Sequence, residues 1–337
     1  MLGASFMTYM ASIQRSSLVL HLFLAFYITA SRTGAASSEH SGWKISIVIF
    51  EDSNQQHPNN TVKAKEAYYE EMFNSVSRRL DLLSNGRFEF VRREYHPLSV
   101  EQSQVLFIKS GNSANIKDIF HHWNTQLAKD LESHTHGKDL IILITKRTIR
   151  DPNGDRRTGS AVKGSVCTPH NFLLVKDDGS FSAVNNIAKL IVHSFGVDMD
   201  GAGSARCCRR GDGFLMGTEP RLPLAFSECT LHLLPAALRK LTCLEKRTSS
   251  SKAKDLPLPP PISRTSYCTA LSSVHCDALE MGSLACIPDE EKLCFVFCCS
   301  GFQSPKKIVA PDGLHCGKDS TGIVDRRCIN GMCEKIN

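Results

Sequence analysis

No cysteine occurs before Cys167, no block of Lys and Arg interrupts the chain, and no Cys-x-x-Cys pair is present. Each absence removes a class of protein. Without a basic block there is no electrostatic footprint for a nucleic acid, and the formal charge of +6 is spread along the chain. Without ribbon spacing the 14 cysteines are not expected to ligate structural zinc. After the first 36 residues no stretch approaches the ~18 uninterrupted apolar residues of a membrane span. There is also no internal repeat.

What is present points to export. Arg15 precedes the apolar run Leu18 to Ala30, and the small residues Gly34-Ala35-Ala36 follow, so residues 1–36 read as a signal peptide. Nine of the cysteines lie between Cys268 and Cys333, a density that implies disulfides and an oxidising compartment. A secreted, extracellular glycoprotein is expected, with Asn59 of Asn59-Asn60-Thr61 as the glycosylation site. At 337 residues and 42% hydrophobic, the chain has material for one large core and a smaller module. Its mild basicity suits acidic surfaces such as glycans, for which Lys306-Lys307 and Arg326-Arg327 form a candidate patch.

Lys44 to Phe50 is a β-branched strand. Tyr69, Met72, Phe73, Val76, Leu80 and Leu83 make one helical stripe, and Asn85-Gly86 stops it. Arg87 to Tyr95 alternates, with Phe88, Phe90 and Arg92 on one side. A second amphipathic helix carries Ile116, Ile119, Phe120, Trp123, Leu127 and Leu131. His121-His122 and His134-Thr135-His136 read as solvated surface. Leu140 to Ile144 is apolar throughout, as in a strand buried on both faces, and Phe172 to Val175 is another strand. A last helix is expected near Leu231 to Leu241, broken or shifted by Pro235. This order predicts an α/β fold with a mostly parallel sheet. Residues 246–266 then turn Ser-rich and Pro-rich, a linker to a cysteine-rich domain over 267–337.

Three stretches carry a resemblance. They are Asp139 to Thr145, Gly159 to Cys167, and Phe181 to His193, followed by Asp212-Gly213-Phe214-Leu215-Met216 and Phe226-Ser227-Glu228-Cys229. Residues 43–245 resemble the reprolysin (adamalysin) metalloprotease domain of ADAM-type, snake-venom and tick-saliva proteins. The tail, Ala310 to Gly317 with Cys328 to Cys333, resembles the end of the cysteine-rich modules of ADAM and ADAMTS proteins. The resemblance implies a metzincin-like mixed sheet with helices and a small disulfide-rich module behind it. It also implies pairing of Cys167 with Cys243 and of Cys229 with Cys207 or Cys208. Each part then keeps an odd cysteine, so one bridge across the linker is expected.

Such proteases place His-Glu-x-x-His on one helix, with the two His as zinc ligands and the Glu as general base, and a third His after a glycine turn. Carried onto this chain, the pattern is degenerate. His193 stands at the first ligand position, Ser194 at the base position and Val197 at the second ligand position. With a deletion of about four residues Met199 takes the third ligand position, and without it Gly203 does. Met216 keeps the position of the Met-turn beneath the metal. One imidazole cannot hold zinc, a thioether is a poor substitute, and Lys189 brings a cation close. Asp198 and Asp200 are further oxygen donors on the shortened connection. Ser194 and His193 do not form a nucleophile pair, because neighbouring helix residues diverge by ~100°. The general base is therefore absent, and the one His is a relic.

The expected function is a secreted pseudoprotease that binds extracellular proteins, host or matrix, with zinc weak or absent. The start of the protease-like region directly after the signal peptide, without a latency segment, agrees with this expectation. Two alternatives stand beside it. One is an active zinc metalloendopeptidase that recruits His170 or His232. The other is an integrin ligand acting through Arg210-Gly211-Asp212, on a loop between cysteines.

Overall fold

The computed structural model describes residues 42–53, 62–83, 88–108, 113–246, 258–270, 274–275, 294–299, 306–318 and 325–336. The expected signal peptide, Asn59 and most of the expected linker lie outside the described residues.

The central sheet runs in the order β2-β1-β4-β8-β7. Its strands are β1 (Trp43–Glu51), β2 (Phe88–Pro97), β4 (Leu140–Thr145), β7 (Gly159–Ala161) and β8 (Phe172–Lys176). The first four strands of that order are parallel, β7 is antiparallel to β8, and β9 (Glu245–Lys246) pairs antiparallel with the start of β1. A small side sheet joins β3 (Ser113–Asn115), β5 (Thr148–Arg150) and β6 (Arg156–Arg157). The mostly parallel α/β sheet is thus the one its sequence order calls for.

Each central strand feeds two cores. Ile45, Ile47 and Ile49 of β1, with Leu140, Ile142 and Ile144 of β4, face one side. Val48, Phe50, Ile141 and Leu143 face the other. Alternation with both faces apolar is why these strands read as continuous hydrophobic runs. At about 1.5–3 kcal/mol per fully buried large side chain, these two layers are the main source of cohesion. On the first side lie α1 (Val62–Leu80), which buries Tyr69, Met72, Phe73, Val76 and Leu80, and α4 (Val184–Ser194). On the second lie α2 (Val100–Leu106) and α3 (Ile116–His122).

Four expectations need correction. Strand β2 carries a bulge, since Ser46 pairs with Val91 but Val48 pairs with Glu94. One extra residue flips every later side chain, so Phe88 and Phe90 face the α1 side while Glu94 and His96 share the other side with Val48 and Phe50. The helix from Ile116 does not continue unbroken but passes through a π turn at Trp123–Leu127 and short turns at Ala128–Asp130 and Glu132–Thr135. Ile119, Trp123, Leu127 and Leu131 are spaced by fours, which drifts ~40° per step on an α-helix. The wider turn keeps all four in one core. His134 is partly buried rather than solvated, with its ring against His96. The last helix, α5, spans Glu228–Leu238 with Pro235 inside it, because Ser227 caps its start and Leu234 and Leu238 anchor its end.

The tail contains α6 (Arg264–Ala270) and two three-stranded sheets. One joins β10 (Val274–His275), β11 (Phe295–Cys299) and β12 (Lys306–Val309); the other joins β13 (His315–Lys318), β14 (Asp325–Ile329) and β15 (Met332–Lys335). Its core is small and consists largely of the bridges Cys268–Cys298, Cys294–Cys328 and Cys316–Cys333. In the α/β body Cys167 is bonded to Cys243 and Cys208 to Cys229, while Cys207 is free and exposed. The one cysteine left over in the body, Cys207, is thus unbridged, and the expected disulfide across the linker is not formed. Charge makes the connection instead. Asp312 accepts from Arg78 Nε at 2.8 Å and from Arg79 Nη2 at 2.9 Å, with its side chain fully buried. Burial would raise the Asp312 carboxyl, but Arg79 and Arg78 hold it below the usual value. Tyr267 adds a hydrogen bond to the Ser180 carbonyl at 3.3 Å.

Candidate functional site

Helix α4 carries the degenerate motif. Asp177 fixes its start, accepting from Tyr68 Oη at 2.7 Å, Gly179 N at 3.0 Å and Ala183 N at 3.1 Å. A carboxylate at this end also meets the positive pole of the helix. Ile187, Ala188 and Ile191 seat the helix in the core. Its other end is abrupt. The last helical residue is Ser194, Phe195 is the cap, and Gly196 takes φ +107°, which only glycine adopts without strain.

That early stop decides the geometry. Two ligands four residues apart share a helix face only if the helix runs through both. Here the chain leaves the helix before Val197, whose side chain returns to the core at 1% exposure. Only its carbonyl reaches His193, accepting from Nδ1 at 2.8 Å. The half-buried His193 therefore carries its proton on Nδ1 and leaves Nε2 as an acceptor. Burial lowers its pKa, the Val197 carbonyl and Asp198 oppose that shift, and Lys163 and Lys189 reinforce it.

Ser194, at the expected base position, is fully buried, and its hydroxyl donates to the Ile191 carbonyl at 2.7 Å. It is directed along its own helix and is closed off from solvent. Met216 is fully buried, and its carbonyl accepts from Asp200 N at 3.2 Å. Lys189 Nζ donates to the carbonyl of Gly217, tying α4 directly to the Met-turn. Burial lowers the Lys189 pKa and Arg210 adds to this, against an opposing pull from Asp200.

The two carboxylates nearby are committed elsewhere. Asp198 pairs with Lys163 at 2.6 Å and accepts from Ser204 N and Oγ at 2.9 and 2.7 Å. The Lys163 hydrogen bond is the first cause of its low pKa of about 2. Gly203, the other choice for third ligand, lies against this carboxylate, and a Cβ there would sit 2.4 Å from Asp198 Oδ2. Asp200 is fully buried and accepts from Ser227 Oγ at 2.6 Å. Met199 packs partly buried against the core. Among the described residues no set of three His, Cys, Asp or Glu donors gathers at His193, and His170 and His232 are exposed and join none. One imidazole with two lysines beside it does not fit the three-ligand set of a tetrahedral zinc centre.

The sequence does not mark Lys163 or the Lys189–Gly217 contact, which depend on long-range packing. Arg210, Gly211 and Asp212 are all exposed, and the Arg210 carbonyl is fixed by Thr218 N at 3.0 Å.

Residues 108–247 match the family model described as Reprolysin (M12B) family zinc metalloprotease. The human protein "A disintegrin and metalloproteinase with thrombospondin motifs 13" is 26% identical over 234 residues, 64% of this chain and 15% of the relative. The mouse protein of the same name is 34% identical over 98 residues, covering 27% of this chain and 7% of that protein. The chain thus spans a small fraction of the length of these curated relatives. Among solved structures, archaemetzincin from Methanopyrus kandleri aligns with TM-score 0.37 and 13% identity, covering 61% of this chain and 99% of that one. Metalloproteinase-II from Bacteroides fragilis aligns with TM-score 0.36 and 14% identity, covering 61% and 55%. No helix among the described residues is long and apolar enough to cross a membrane. Over residues 108–247 the chain is thus similar to the reprolysin-type zinc metalloproteases.

Proposed function

We propose that this chain is a secreted reprolysin homologue without proteolytic activity, acting by binding extracellular proteins. The observation that carries the reading is the position of Ser194. A zinc peptidase needs a base beside its metal-bound water. The residue at that point faces the core and is hydrogen-bonded to its own helix. The early helix stop and the His193–Val197 hydrogen bond support loss of zinc at the same site. The retained scaffold leaves the former cleft and the cysteine-rich tail as protein-binding surfaces. An active enzyme recruiting His170 or His232 gains no support from two exposed side chains outside any donor cluster.

The test combines cleavage of a denatured protein with zinc analysis of the natural chain and of His193→Gln. No cleavage, and equal zinc in the two, is expected. Chelator-sensitive cleavage, with zinc lost on changing His193, would overturn the proposal.

A second reading, integrin binding, is favoured by the exposure of Arg210, Gly211 and Asp212 on a loop closed by Cys208–Cys229. Asp212→Ala should then abolish cell adhesion to the immobilised protein, and unchanged adhesion rejects it.

A further inference from the structure

The bulge in β2 has a chemical consequence. It places Glu94 and His96 on the sheet face that holds Val48 and Phe50. The chain following α3 packs on that face through Trp123, Leu127 and Leu131, which brings His134 to the same point. Donor atoms of Glu94, His96 and His134 all lie within 4.8 Å of one another. The two imidazole rings stand 4.0 Å apart between centroids, tilted by 44°. Nε2 of His96 is closed off from solvent and has no hydrogen-bond partner, lying 3.5 Å from Glu94 Oε2 without the alignment for one. Lys138 donates to the other carboxylate oxygen, Oε1, leaving Oε2 toward His96. The ring of Phe50 lies 5.8 Å from that of His96 and forms an apolar floor.

We propose that Glu94, His96 and His134 form a binding site for a borderline-soft divalent cation of the Zn²⁺ class, separate from the His193 region. Two imidazoles and one carboxylate are the donor set such ions prefer over calcium or magnesium. Tetrahedral bonds of ~2.0–2.2 Å need donors ~3.3–3.6 Å apart, so side-chain rotations of about 1 Å close the site. Lys138 orients the carboxylate, as an outer partner commonly does. The Glu94 side chain is 44% and that of His96 31% exposed, so the cluster lies at the surface and the rotations that close the site also open His96 Nε2 to an incoming ion. The ion would clip the sheet's edge strand to the end of the α3 segment.

The test is calorimetric titration of Zn²⁺ into the chelator-stripped full chain. One site is expected, weakened at least ~10-fold by His96→Gln and by His134→Gln and unchanged by His193→Gln. Binding that survives both of the first two variants, or disappears only with His193→Gln, overturns the proposal. The second of these results would also count against a metal-free His193, whereas the first leaves the proposed function standing. Should the variants not fold, the natural chain decides by diethyl pyrocarbonate labelling. Zn²⁺ should protect His96 and His134, and equal labelling with and without the ion sinks the site.

Discussion

Restoring the zinc motif by substitution should fail, and the structure gives the size of the failure. In Ser194→Glu with Val197→His, the carboxylate enters a position with 0% exposure whose hydroxyl already has its acceptor at 2.7 Å. An uncompensated buried charge costs about 3–5 kcal/mol, and a neutral but overpacked glutamic acid about 1–3 kcal/mol. The imidazole enters a position with 1% exposure, where a polar ring without a partner costs about 1–3 kcal/mol more. The sum of about 2–8 kcal/mol is a large part of an ordinary 5–15 kcal/mol stability, before any coupling between neighbouring sites. Zinc does not compensate, because the helix ends before Val197 and His193 and residue 197 do not share a face. Urea unfolding followed by circular dichroism, with metal analysis of the same samples, reads both effects. A double variant of unchanged midpoint that binds one zinc through His193 would refute the argument.

Other outcomes follow from the same contacts. Asp312→Asn takes the carboxylate from the buried Arg79 and one of two from Arg78, which keeps Glu71, and should cost about 3–5 kcal/mol, a fall in Tm of roughly 10 °C. Because the folded-state pKa of Asp312 is depressed, its contribution is complete above the unfolded carboxylate value of about 3.9 and is lost as pH falls below it. Acid unfolding of Asp312→Asn should accordingly be less steep than that of the natural chain. Cys207 Sγ lies 3.1 Å from Cys229 Sγ, so Cys208→Ser should keep a bridge through Cys207. Peptide mapping without reductant should find Cys207–Cys229, and a free Cys229 would contradict this.

Much of the sheet was legible because its signals are local. The unbroken apolar run Leu140 to Ile144 announces a strand covered on both sides, and the stripe from Tyr69 to Leu83 announces a helix. The capping box of α2 was present as Ser99-x-x-Gln102, with Ser99 Oγ accepting from Gln102 N at 3.1 Å and Gln102 Oε1 from Ser99 N at 2.9 Å. It passes unnoticed because the helix has only seven residues. The bulge near Arg92 is not legible, since an alternating pattern carries no mark of one extra residue. At the candidate site the residue types at 193, 194 and 197 are plain in the sequence, while the direction of the Ser194 hydroxyl and the Lys189–Gly217 contact depend on the folded chain. Asp312 is least legible of all, for its partners lie 233 and 234 positions away.

That remote partnership also determines what a single cut would do. All five cysteines before residue 247 are accounted for, four in bridges among themselves and Cys207 free. A nick anywhere in 247–257 would therefore leave two polypeptides with no covalent bond between them, held by Arg78, Arg79 and Asp312 and the packing around them. In neutral buffer they would travel through a sizing column as one particle. In detergent they would part into two bands with no reducing agent present.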